Sequence, residues 1–216
     1  MPVADLGDVR LYYEERGTGR PLVLMHGGWV DLSSLEPNIP ALAARCRVIA
    51  FDRRGCGRSV VLEGEHSPEA WTEDLYRLLR TLELSRACVG GVSYGAMVAV
   101  EFALAHPEMV DGLVLIAGTA EGFPGRGGGY VGFPRRLERL GEITAPVLLI
   151  HGDADPVFPL WHAEHMQRAL PNARLVVVEG AGHGVNWEDA ATVNGAILEF
   201  LAGLEGSPAA GERPAP

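Results

Sequence analysis

Gly91-Val92-Ser93-Tyr94-Gly95 sets one hydroxyl between two glycines, where an apolar run gives way to a stretch rich in alanine. Glycines alone could make a tight turn around a structural serine. The other reading is a nucleophile, with the glycines letting the backbone bend sharply enough to present it. A serine hydroxyl is too weak an acid to attack an ester unaided at neutral pH. It needs an imidazole to accept its proton and a carboxylate to orient that imidazole and stabilise its charged form. Both groups occur further on: Asp153 and Asp155 in GDADPVFP, and His183 in GAGH. Each follows an apolar run, as Ser93 does, and the complete set favours the nucleophile.

These groups need elements that bring them to one place. Val9–Glu15 reads as a strand, followed by PLVLMHGG, RVIAFDRRG, ACVGGVS, GLVLIAG, PVLLIHGD and ARLVVVEGAGH. Continuous apolar runs of this length indicate strands buried on both faces. Ser67–Leu82 opens with Ser-Pro-Glu, a good helix cap, and repeats apolar residues at helical spacing. Tyr94–Ala105 reads as a buried helix, and Leu160–Leu170 and Asp189–Leu204 as amphipathic ones. Alternating strands and helices imply a parallel sheet covered on both faces, with functional groups beyond the carboxyl ends of its strands. That edge collects His26-Gly27-Gly28-Trp29, Asp52, Ser93, Asp153 with Asp155, and His183.

G-x-S-x-G between a strand and a helix has the context of a nucleophile elbow. With HGGW, DRRGCGRS, GDADPVFP and GAGH in order, residues 1–205 resemble the α/β-hydrolase superfamily, in particular its small esterases, enol-lactonases and cofactor-free haloperoxidases. The resemblance implies a single domain over 1–205 with a mostly parallel eight-stranded sheet. It implies Ser93 as nucleophile, His183 as general base and Asp155 as the acid, since Gly152, Asp155 and Pro159 match the branch's pattern, with Asp153 as the competitor. The oxyanion-hole donors it implies are the backbone N–H groups of Gly28 and Tyr94. No cofactor or metal is called for. Carboxylic-ester hydrolysis through an acyl-enzyme is the expected activity. Lactone opening, carbon–carbon bond hydrolysis and perhydrolysis would use the same triad, and a small-molecule binding protein without turnover is the non-catalytic rival.

Relatives of this kind carry a helical cap between the strands ending at Gly118 and Gly152, whereas here only residues 119–145 connect them, opening with EGFPGRGGGYVGFP. The expectation is a cap reduced to a loop with one short helix over 135–140. The flap over the open site would carry Phe123, Tyr130 and Phe133. Trp29, Tyr94, Phe123, Phe158 and Trp187 are candidates for the pocket wall or the core. The exposed cap face offers a surface for self-association. His26 and His151 read as structural, as do Asp52, Arg53 and Arg54, and His162 and His165 as a solvated helix face. The tail 206–216, GSPAAGERPAP, has the composition of a disordered segment.

The bulk properties exclude more than they assign. The chain has 216 residues, a formal net charge of −10 and 18 basic residues, all arginine and none gathered into a stripe, so a nucleic-acid partner is not expected. Cys46, Cys56 and Cys88 have no disulfide or zinc spacing. No basic-then-apolar leader opens the chain and no run spans a bilayer, so a cytoplasmic protein acting on a small-molecule ester is the expectation.

Overall fold

The computed structural model describes residues 2–124 and 132–204. Tyr130, assigned to the flap, and the 206–216 tail lie outside them. Nine strands form one sheet among the described residues. They are β1 (Val3–Asp5), β2 (Val9–Arg16), β3 (Pro21–Met25), β4 (Arg47–Phe51), β5 (Val60–Val61), β6 (Ala87–Val92), β7 (Val110–Ile116), β8 (Val147–Gly152) and β9 (Ala173–Val178). The order is β1-β2-β4-β3-β6-β7-β8-β9, with β5 pairing β2. From β4 to β9 every pairing is parallel, while β1, β2 and β5 are joined antiparallel at one edge. The expectation of eight strands is corrected to nine, and the two strands absent from the apolar runs, β1 and β5, are too short to leave a periodic signal.

The apolar runs become the strands whose faces are both covered. The helices are α1 (Ile39–Ala43), α2 (Pro68–Thr81), α3 (Tyr94–Ala105), α4 (Trp161–Ala169), α5 (Val185–Glu188) and α6 (Ala190–Leu204). On one face Val23, Val89 and Leu149 pack with Leu75 of α2, Val98 of α3 and Met166 of α4. On the other, Leu24, Cys88 and Leu148 pack with Ile39 of α1 and Ile197 of α6. The start of α2 is fixed as its sequence implies: the Ser67 hydroxyl accepts from the Ala70 amide at 3.1 Å, and Pro68 occupies the first turn.

The connection from β7 to β8 contains, among its described residues, a bridge pairing Phe123 with Phe133 and a 3-10 helix over Leu137–Glu142. Phe133 is not part of a flap. It is 6% exposed, its ring stacks on Trp71 at 5.8 Å, and it meets Tyr94 edge-on at 5.2 Å.

One buried ion cluster holds the loop after β4. Arg54, 2% exposed along its side chain, lies 2.8 Å from each carboxylate oxygen of Asp74 and 2.6 Å from Asp8. Arg77 adds a bond of 2.7 Å to Asp74 and another of 2.7 Å to Asp8. The Arg77 hydrogen bond, aided by Arg54, holds the Asp8 carboxyl well below the usual range despite the opposing effect of burial. A charge left in such a place without its partner is more costly than the pair is stabilising. Asp74→Asn is therefore expected to lower unfolding stability by about 3–5 kcal/mol, measured by urea denaturation at neutral pH.

Candidate active site

Beyond the carboxyl edge of the sheet the chain turns sharply at Ser93, whose φ of 53° and ψ of −110° lie outside the ordinary regions for an L residue. The glycines either side are there for space. Met25 of β3 stands beside Gly91 in the sheet, and a Cβ on Gly91 would come within 2.6 Å of both the Met25 carbonyl oxygen and the Gly95 backbone. A Cβ on Gly95 would overlap that same carbonyl. With only hydrogen there, α3 starts directly against β3 and raises Ser93 above the sheet.

Two loops meet the serine. Asp155 leaves the end of β8 and is 4% exposed. Its Oδ1 accepts from the Val157 and Phe158 amides at 2.7 and 2.9 Å, and its Oδ2 lies 2.8 Å from His183 Nδ1. Burial works to raise its pKa, but the His183 bond and these amides outweigh burial and hold the carboxyl below its ordinary value. His183 Nε2 lies 3.0 Å from Ser93 Oγ. The three side chains, 28 and 90 residues apart along the chain, thus form one line of hydrogen bonds. Asp153, the rival acid, instead accepts from the Gly180 amide at 2.7 Å and serves the turn.

Two further residues fix these loops, Glu188, which the sequence reading passed over, and His151, which it read as structural. Glu188 holds the backbone on both sides of His183, accepting from the Gly182 amide at 2.6 Å and the Gly184 amide at 3.1 Å. The signal was local, a carboxylate four residues beyond Gly-His-Gly. His151 ends β8 fully buried, with Nε2 2.6 Å from the Phe158 carbonyl and 3.4 Å from Asp155 Oδ2. It therefore supports the acid loop as well as the strand.

The HGGW loop follows β3. His26 is buried, with Nδ1 2.7 Å from the Gly27 carbonyl, while its Nε2 accepts from the Arg53 amide at 3.0 Å. Burial first, then the nearby Arg53 charge, depress its pKa to about 3, so the ring is neutral. Asp52 ties the same region together by accepting from the Leu32 and Arg58 amides, each at 2.8 Å. Gly28 faces the start of α3, and a Cβ there would sit 3.2 Å from the Tyr94 ring. Trp29 takes a left-handed φ of 55° and meets Tyr94 edge-on at 5.2 Å.

A cavity of about 560 Å³ opens over Ser93 and His183. Trp29, Tyr94, Phe123, Phe158 and Trp187 all line it, joined by Val30, Val157 and Asn186. Phe158 is also core, 4% exposed. Trp187 is pinned although 57% exposed, because its indole N–H donates to the Ser34 carbonyl at 2.6 Å.

His162 and His165 are not a solvated face. His162 Nδ1 lies 2.7 Å from Thr119 Oγ1, and His165 Nδ1 lies 2.7 Å from Glu121 Oε1. Trp161 stacks on His162 at 3.7 Å. Both histidines fasten the residues after β7 to α4, a pairing invisible in sequence because its partners are more than 40 residues apart. No cluster of three or more His, Cys, Asp or Glu side chains suited to a metal occurs among the described residues. No helix among them is long and apolar enough to cross a membrane.

The family profile for the α/β-hydrolase fold matches residues 20–137, more than half of the chain, and that for TAP-like proteins matches 133–212. The chain belongs to the α/β-hydrolase family. This α/β hydrolase is 36% identical to RutD of Azorhizobium caulinodans, a carbamate hydrolase by name, over 77% of its own length and 62% of that protein's. It is 29% identical to the 2-hydroxy-6-oxononadienedioate/2-hydroxy-6-oxononatrienedioate hydrolase of Burkholderia vietnamiensis, over 92% of this chain and 93% of that one. Among solved structures, a thermophilic esterase from Thermogutta terrifontis superposes with a TM-score of 0.85 at 26% identity, covering 93% of this chain and 96% of the other. An enol-lactonase from Burkholderia xenovorans superposes at 0.84 with 23% identity, covering 93% and 100%, and shares the fold.

The close approach at the elbow distinguishes its glycines from others in this hydrolase. Gly95→Ala is expected to cost about 1–3 kcal/mol, as overpacking against backbone does. Gly195→Ala, in α6 with nothing within 4 Å of the added carbon, is expected to stabilise by up to about 1 kcal/mol. Paired thermal and denaturant unfolding of the two variants measures both signs.

Proposed function

We propose that this chain is a serine hydrolase of carboxylic esters that works through an acyl-enzyme. The observation that carries the reading is the hydrogen-bonded line from Ser93 through His183 to the buried Asp155, at the base of an aromatic cavity. Ser93 Oγ attacks the ester carbonyl while His183 Nε2 takes its proton, and Asp155 stabilises the imidazolium through Nδ1. The oxygen that gains the charge sits between the Gly28 and Tyr94 amides. Tyr94 is the first residue of α3, where amides point out of the helix end and the helix dipole is positive. As the tetrahedral intermediate collapses, His183 returns the proton to the departing alcohol. Water activated by the same imidazole then releases the acid and restores Ser93.

The cavity lining favours neutral esters over the dicarboxylates named for the Burkholderia vietnamiensis relative. Among the described residues that line it, none is an aspartate, glutamate, lysine or arginine. Two carboxylates entering such a wall would lose hydration without a cationic partner. The aromatic walls instead suit an apolar acyl or alcohol group. We further propose that the cap is reduced to the 119–145 connection. In support, the alignment with that relative runs over 269 positions, more than the 216 residues present here.

Wild-type protein mixed with p-nitrophenyl esters is expected to release a burst of one nitrophenol per site before steady turnover. Across an acetyl-to-dodecanoyl panel, neutral chains should exceed an acyl group bearing a free carboxylate by at least about tenfold. Ser93→Ala should lower kcat by at least about 10³ without changing the melting temperature by more than a few degrees. Equal hydrolysis by wild type and Ser93→Ala would overturn the assignment.

A further inference from the structure

Arg53 and Arg54 are neighbours in the chain, both 2% exposed, and their surroundings are opposite. Arg54 has its carboxylates. Arg53 has none within 4 Å among the described residues, and its Nε has no acceptor among them. The side chain lies instead against two rings, its guanidinium carbon 5.0 Å from the Trp71 centroid and 5.7 Å from that of Tyr94. Burial lowers the Arg53 pKa, the Cys56 thiol and the Tyr94 phenol oppose it, and burial pushes the Cys56 thiol up. A buried charge without a counter-ion is costly, so what this one touches matters.

Besides the Tyr94 ring, it meets the backbone of the candidate site. Arg53 Nη2 donates to the Gly27 carbonyl at 2.7 Å, and His26 Nδ1 lies 2.7 Å from the same oxygen. The His26 tautomer is consistent with donation there, since Nε2 already accepts from the Arg53 amide. That carbonyl and the Gly28 N–H belong to one planar peptide group, in which the two bonds point opposite ways. Fixing the oxygen from two sides therefore fixes the direction of the N–H. A cationic donor on the oxygen also draws electron density from the nitrogen, which strengthens the N–H as a donor.

We propose that Arg53 is a positioning residue: through the Gly27 carbonyl it aims and strengthens the Gly28 amide for the anionic oxygen of the transition state. The inference rests on the reading of Gly28 as an oxyanion donor. The guanidinium lies behind the peptide, out of the cavity lining, so substrate in its ground state does not meet it. Its effect belongs to the state that carries negative charge, and so to kcat rather than KM.

The test uses Arg53→Met, which removes the charge at similar length, Arg53→Gln, which keeps a donor without charge, and Arg53→Lys, which keeps the charge. All rates are divided by the number of sites titrated with a phosphonate, so that misfolded molecules do not count. The expected results for Arg53→Met and Arg53→Gln are a kcat about 10–100-fold lower, KM within twofold, and a Kd for phenylboronic acid raised at least tenfold. That boronic acid mimics the charged state, because Ser93 Oγ bonds to boron, the hydroxyl proton passes to His183, and boron becomes tetrahedral and anionic. Inhibition by neutral 2-phenylethanol should stay constant, and Arg53→Lys should recover most of kcat. If Arg53→Met yields no titratable sites, Arg53→Gln against Arg53→Lys gives the same comparison. Unchanged boronate affinity in the uncharged variants, or a loss confined to KM, would overturn the role of Arg53 alone. A wild type that binds no boronate, with an active Ser93→Ala, would instead overturn the ester-hydrolase reading.

Discussion

Everything at the carboxyl edge of the sheet follows from how closely α3 approaches β3. The Met25 carbonyl lies where a side chain on Gly91 or Gly95 would have to be, so these positions are closed to anything but glycine. Closing that gap brings the helix that starts at Tyr94 beside the loop that leaves β3 at His26. The two amides that flank the proposed oxyanion position come from these two elements. Their separation is thus a consequence of backbone packing at the centre of the sheet, not of side chains at the surface. The same packing forces Ser93 into a left-handed turn, and Trp29 and Ala117 leave adjacent strand ends with φ of 55° and 48°. Such conformations cost of order 1–3 kcal/mol each and persist where the surrounding structure over-determines them. Here the parallel sheet, covered on both faces, does so.

Loops leaving such an edge are rich in polar backbone groups that need partners, and this chain supplies them with side chains, buried at His26, Asp52 and His151 and exposed at Glu188. His26, Asp52, Glu188 and His151 each bind backbone in a loop that carries a site residue. Asn38, Asn186 and Asn194 join α1, α5 and α6 in the same way, with side chains 2.9–3.1 Å apart. The result is a set of short loops whose backbone is tied down by side-chain hydrogen bonds. Glu188 shows the logic most simply: one carboxylate spans His183 and leaves the imidazole a narrow range of directions, toward Asp155 on one side and Ser93 on the other. Such polar contacts specify geometry more than they add stability.

Much of this was legible in the sequence, and the reasons are specific. Long parallel strands are continuous apolar runs, so their ends, and the residues just beyond them, can be read directly. That is how Ser93, His183 and the pair Asp153 and Asp155 were picked out, with the choice of Asp155 resting on the family resemblance, and why α3 starts and ends at the residues expected. The elements that were missed are short. The strands β1 and β5 and the helices α1 and α5 span two to five residues and owe their form to neighbours rather than to any period of their own. Interactions between remote segments were equally hidden. Nothing near His162 indicates Thr119, and nothing near Phe133 indicates Trp71, yet those contacts decide that one is fastened and the other is core.

The walls of the cavity differ in how they are held, and the difference has consequences for selectivity. Phe158 sits against the imidazole of His183 at 5.4 Å and is anchored by the same amide bonds that orient Asp155. Trp187 hangs from the Ser34 carbonyl, and Trp29 from a strained turn next to Gly28. Changing any of these three disturbs a group that positions the proposed chemistry. Phe123 differs, since it belongs to the connection after β7 and meets the site through ring contacts with Tyr94 and Phe158. That connection is fastened to α4 through Thr119 and Glu121. Residues near Phe123 can therefore alter selectivity from a connection that is separate in sequence from the loops carrying the serine, the imidazole and the carboxylate.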